Sequence, residues 1–145
     1  MGKVVNVLRW IAVLPGAALG AWLAYNVFQL IWGIILFLYP GLLTRLIEPG
    51  TGDYSAYLVR GLYEMVNTFL PSTAFVYGAS RVAPERSGWV SVASAGALTI
   101  YGSITLLFAV GSQSGWWDAT GAAGICLGAF AAGRTGYRSS GRKSS

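Results

Sequence analysis

The chain contains no histidine and a single cysteine, Cys126. Without histidine there is no His-ligated haem, no Cys/His zinc centre and no Ser/His or Cys/His nucleophile pair. One thiol also excludes an internal disulfide, and Cys126, lying among Gly and Ala, reads as a small packing residue. Charge is almost as scarce, at 10% of the 145 residues against roughly 25% in an ordinary soluble domain. Acid–base chemistry would need a pair such as Glu64 with Asp53 or Asp118, brought together only by folding. The sequence therefore offers no catalytic residue, no cofactor site and no metal ligands, and the expectation is that the chain is not an enzyme.

What is present is apolar: 54% of the residues are hydrophobic and 14% aromatic. The charges are clustered and leave uncharged runs from Trp10 to Thr44, Met65 to Ser80, Ser87 to Trp117 and Ala119 to Gly133. A membrane span needs about 20 mostly apolar residues, so the runs accommodate about four helices. The polar connections, Glu48 to Tyr54 and Arg81 to Ser87, leave no room for a soluble domain among these residues.

Spans are expected at about residues 5–30, 56–80, 88–111 and 116–133, forming a transmembrane domain over 1–134, with 135–145 as a flexible basic tail. The run from Trp10 to Thr44 is about 50 Å long as a helix, too long for one upright span across about 30 Å of hydrocarbon. Residues 31–44 could be a helix extension, an interfacial segment or part of a hairpin. With four spans and a cytoplasmic N-terminus, Lys3, Arg9, Arg81, Arg86, Arg134, Arg138, Arg142 and Lys143 fall inside, against Arg45 and Arg60 outside. A hairpin would destroy this positive-inside bias, so four spans with both termini cytoplasmic is the favoured topology. Trp10, Trp89, Trp116 and Trp117 near the expected helix ends agree with headgroup anchoring.

The N-terminal MGKVVNVLRWIAVLPGAALGA has a basic start and an apolar run, but the run exceeds a signal h-region, so retention is expected. Neither the myristoylation pattern nor a prenylation box is present. The tail TGYRSSGRKSS and Arg134 together bring four cations to an anionic inner leaflet. This positive-inside bias also explains the basic tail without nucleic acid.

Three helices carry small residues four apart: Ala12, Gly16, Gly20 and Ala24; Ser91, Ala95, Thr99 and Ser103; Thr120, Gly124, Gly128 and Ala132. Such stripes let helix backbones approach closely in lipid. Gly16/Gly20 and Gly124/Gly128 are the two GxxxG pairs, available for packing within the chain or between copies.

The second helix is the polar one. At about 100° per residue, Arg60, Asn67, Thr68, Pro71 and Ser72 all fall within about 80° of Glu64. Leu62, Val66, Phe69, Val76 and Tyr77 occupy the other side, with Thr73 as the exception whose hydroxyl can bond back to its own helix. With Arg81 at the inner boundary, Pro71 lies about 15 Å deep, close to mid-membrane. Proline removes an amide there and is expected to kink the helix. The seam is read first as glue between helices, with Asn26 and Gln29 as candidate partners, and alternatively as a channel or small-solute transport site.

The layout, with LRWIAVLPGAALGAWLAY opening the chain and FVYGASRVAP closing the second helix, resembles small four-span bacterial membrane proteins in general outline, a resemblance that implies no activity. The expectation is an all-α integral membrane protein, a compact four-helix bundle in the bacterial inner membrane. It would act through assembly, either with copies of itself or with another membrane protein.

Overall fold

A computed structural model of the chain describes residues 2–42, 54–83, 87–111 and 116–141. They form an all-α bundle of four long helices: α1 (Gly2–Leu38), α2 (Tyr54–Val82), α3 (Ser87–Gly111) and α4 (Trp116–Gly141). Arg45, Glu48, Asp53, Arg86, Arg142 and Lys143, all named above, lie outside the described residues.

Two helix ends follow from proline. Tyr39 precedes Pro40 and Ala83 precedes Pro84, and the residue before proline is pushed out of the helical region. Each still closes a last helical bond, Tyr39 N–H to Ile35 O at 2.9 Å and Ala83 N–H to Ala79 O at 3.1 Å. The region left open at residues 31–44 is resolved in part: α1 is one helix of 37 residues through Leu38, an extension rather than a hairpin, and it is followed by a single turn at residues 40–42. At the other end, α4 runs on past Gly133 to Gly141. Residues 135–141 are thus helical where the Gly- and Ser-rich composition suggested an irregular tail. Pro71 lies inside α2, which is continuous from Tyr54 to Val82. Packing on both sides of the proline holds the helix where the missing amide alone would interrupt it.

Helices consecutive in the chain alternate in direction. Val13 and Ala17 of α1 cluster with Ala79 and Ala83 of α2, while Gln29 reaches Asn67, so α1 and α2 are antiparallel. Ser91 of α3 lies against Ala132 of α4 and Gly102 against Cys126, again antiparallel. Thr68 faces Gly121 and Thr73 faces Gly128, so α2 and α4 are parallel. Among the described residues, α2 touches all three other helices, α3 and α4 pack on each other, and α1 packs on α2 alone.

Small side chains fill the contacts. Ala17, Val76, Ser91 and Ala129 are 0% exposed, and Val76 and Ser91 are the largest fully buried side chains. The second cluster joins Val76, Ala95, Ala129 and Ala132, with Leu98 packed on it. Large side chains lie outside: Phe37 is 85% exposed, Trp89 74% and Leu107 73%. The helices over Val4–Leu38 and Gly88–Gly111 are long and apolar enough to cross a membrane.

Both GxxxG pairs work inside the chain. A Cβ on Gly20 would lie 3.3 Å from the Ala74 carbonyl, and one on Gly16 would lie 2.8 Å from a Val82 methyl. Gly78 returns the contact, its Cβ position being 3.3 Å from the Ala17 Cα. Gly124 and Gly128 give α4 the same close approach to α2 at Met65 and Phe69. Of the α1 stripe, Ala12 is exposed.

The helix directions sort the charges. Arg9, Arg81 and Arg134 fall in the half of the bundle that holds the α1 N-terminus, while the described acids, Glu64 and Asp118, fall in the opposite half.

Candidate functional site

The polar face of α2 is divided between two neighbours. Towards α1, Gln29 Nε2 donates to Asn67 Oδ1 at 3.0 Å and approaches the Tyr63 hydroxyl at 3.1 Å, and that hydroxyl is also 3.2 Å from Gln29 Oε1. The Tyr63 ring stands against Trp32 and Phe28, with centroids 5.1 and 5.7 Å away. The half-buried Gln29–Asn67 pair therefore lies beside an aromatic group. Phe28, Gln29 and Trp32 occupy one face because residues three and four apart on a helix are neighbours.

Towards α4, the Thr68 hydroxyl donates to the Gly121 carbonyl at 2.7 Å, with Glu64 O and Met65 O of its own helix at 3.0 and 3.1 Å. Ser72 is buried and donates to Thr68 O at 2.7 Å. Thr73 donates to Phe69 O at 2.9 Å and is 3.3 Å from Gly128 O. The hydroxyl rows meet a helix surface made of glycine, which exposes backbone carbonyls that a larger residue would cover.

Of the six residues expected on this face, Asn67, Thr68 and Ser72 are thus engaged with neighbouring backbone or side chains. Arg60, Glu64 and Pro71 are half-buried. Of the two expected partners on α1, Gln29 makes the contact. Asn26 does not: it is exposed, and its amide donates to Trp22 O of its own helix at 2.7 Å. Tyr63 was missed in the sequence; its position one turn before Asn67 was the available signal. Thr73 bonds back to its own helix as expected and in addition reaches across to α4.

At the cationic end, Tyr77 and Arg81 form a pair one turn apart. The Tyr77 hydroxyl accepts from Arg81 Nε at 2.9 Å, and the guanidinium carbon lies 4.9 Å from the ring centroid. Cys126 Sγ lies 3.7 Å from Thr99 O at the α3–α4 contact. Among the described residues, no three His, Cys, Asp or Glu side chains come together.

The hydrogen bonds from Asn67, Thr68 and Thr73 to α1 and α4 can hold the helices in register. Comparison with protein-family models, with curated proteins and with solved structures found no match to this chain.

Proposed function

We propose that the chain is a small integral membrane protein with four spans and both termini on the cytoplasmic side, acting through assembly as an accessory subunit of a membrane complex or as a homo-oligomer. The observation behind the membrane reading is the size order of the bundle, with Ala, Gly, Ser and Val inside and Leu, Ile, Phe and Trp outside. Water penalises a continuous outer layer of large apolar side chains, whereas lipid makes close approach of small residues the source of helix cohesion. Among the described residues, α2, which carries the polar seam, is the helix that all the others contact. The cationic half takes the cytoplasmic side by the positive-inside rule. The packing of α1 on Gly78 and Ala79 of α2 supports its retention as part of the bundle.

Asn26 supports assembly. The contacts of Gly20 with Ala74 and of Gln29 with Asn67 bring Asn26 level with residues 69–70, next to Pro71 and close to mid-membrane. An exposed amide at that depth is unfavourable against lipid, and a partner helix relieves it by hydrogen bonding. The two GxxxG pairs are already occupied within the chain, so the outer face of α1 is the assembly surface in this reading.

The transport alternative, using Arg60, Glu64, Asn67, Thr68, Pro71 and Ser72, has less behind it, because Asn67, Thr68 and Ser72 already bond to neighbouring protein groups. No catalytic step and no cofactor form part of the proposal.

Alkaline washing of membranes should leave the chain in the pellet, and its release into the supernatant would overturn the membrane reading. Mass measurement of the complex extracted in mild detergent should give more than one chain. A lone monomer without a partner would count against assembly. Proteoliposomes should show no ion flux; a flux abolished by Glu64→Gln would favour the alternative instead.

A further inference from the structure

An apolar groove of about 560 Å³ runs along the outside of the α3–α4 contact. Val92, Gly96, Thr99 and Ile100 of α3 line it together with Phe130 and Arg134 of α4. Its shape follows from residue size: Ile100 and Phe130 stand out as exposed walls, while a Cβ at Gly96 would meet nothing within 4 Å. Thr99 adds little polarity, because its hydroxyl donates to Ala95 O of its own helix at 2.8 Å. Among the described residues, Arg134 is therefore the one charged residue that borders the groove.

Arg134 also lies at a definite level. Thr68 faces Gly121 and Thr73 faces Gly128, and the same offset carried along the parallel helices puts Arg134 level with residues 79–81. Arg81, in the last turn of α2, is thus at the same height. From that end the groove extends about 12 Å along α3, from Val92 to Ile100.

We infer that this groove binds one anionic phospholipid, with an acyl chain between Ile100 and Phe130 and the headgroup phosphate on Arg134. The inference rests on the membrane reading, which sets the groove against lipid and Arg134 at the inner headgroups. Charge selects the occupant: an apolar slot ending in a cation fits an amphiphile with an anionic head, and Arg binds phosphate through a planar fork of donors. A neutral phospholipid would offer the same chain without the net charge, so headgroup preference is the property to measure.

The test uses the full chain in mild detergent with equal phosphatidylglycerol and phosphatidylcholine, the retained lipid being weighed by native mass spectrometry. Wild type should keep one phosphatidylglycerol in preference. Arg134→Gln should reduce that preference about fivefold, while Arg81→Gln, a cation at the same height outside the groove, should leave it unchanged. Gly96→Leu should fill the slot and abolish retention; circular dichroism should show unaltered helix content, because the added side chain meets open space. Equal retention of both lipids, retention in Gly96→Leu, or an equal loss in Arg81→Gln would each overturn the inference. Extraction without detergent would overturn the membrane reading as well, whereas a membrane-bound chain without lipid preference would overturn this inference alone.

Discussion

The Thr68 hydroxyl on α2 lies 2.7 Å from the carbonyl oxygen of Gly121 on α4. That spacing is possible because a turn of α4 carries no side chain at Gly121 or Gly124, so two helix backbones approach until hydroxyl meets carbonyl. Gly124→Leu should separate them, since its Cβ would meet the Met65 carbonyl and the Thr68 hydroxyl. Overpacking of this kind destabilises by about 1–3 kcal/mol, which unfolding in detergent with added dodecyl sulfate would read. Gly33→Leu, where a Cβ meets nothing within 4 Å, should leave the midpoint unchanged or raise it. Equal midpoints for the two variants would refute the close α2–α4 contact.

The α1–α2 polar contact should behave as a pair. Gln29→Leu leaves Asn67 without its donor, and Asn67→Leu leaves Gln29 without its acceptor. Each single change should destabilise, and the double variant should lose less than the sum. A coupling of about 0.6–1.7 kcal/mol is expected for a bond in this setting. Strict additivity in the double-mutant cycle would mean that the two amides act independently.

Asn26→Leu separates assembly from folding. The side chain bonds only within its own helix among the described residues, so the variant should unfold at the same midpoint as wild type. Its association should weaken about threefold, the equivalent of ~0.6 kcal/mol. Unchanged association, measured by energy transfer between labelled chains or by partner retention, would remove the outer face of α1 as the interface.

Pro71→Ala tests whether the proline matters as an interruption. The helix is already continuous across it, and alanine would return an N–H in reach of the Asn67 carbonyl. Stability should rise or stay within about 1 kcal/mol. A large loss would show that the missing amide is needed, and would return weight to a broken-helix site.

Sidedness has its own measurement. A thiol placed at exposed position 135 by Thr135→Cys, with Cys126→Ser to remove the native one, should react with an impermeant reagent only after the cytoplasmic face is opened. Reaction in intact cells would invert the topology.

Helix number and the glycine seams of α1 and α4 were legible in the sequence because each rests on a local pattern, uncharged runs and glycine four apart. Of the α3 stripe, by contrast, Ser91 and Ala95 are buried but Thr99 and Ser103 are exposed. The length of α1 was not legible. Hydropathy rates residues 31–38 the same whether they continue a helix or fold back, and only the unbroken run of helical bonds through Leu38 decides. The end of α4 failed for a related reason, since TGYRSSG is poor in helix formers yet continues a helix already nucleated at Trp116. On α1, Asn26 and Gln29 were equally good partners on paper. Three residues apart they differ by about 60° around the axis, and the packing of Ala17 and Gly20 on α2 turns Gln29 inward and leaves Asn26 outside. Tyr63 was overlooked because a tyrosine near a helix end reads as an interfacial anchor before it reads as a bonding partner.

The contacts of α1 have a consequence for the order of events during synthesis. Every helix surface that α1 binds within the described chain belongs to α2, so its share of the fold can form once residue 83 has emerged from the ribosome. The first hairpin can close before α3 has emerged. By contrast, the glycine face that receives Thr68 and Thr73 lies on α4 and arrives last. Until then α2 carries exposed hydroxyls at Thr68, Ser72 and Thr73, and the chain passes through a half-finished state in which a chaperone or insertase groove could stand in for α4.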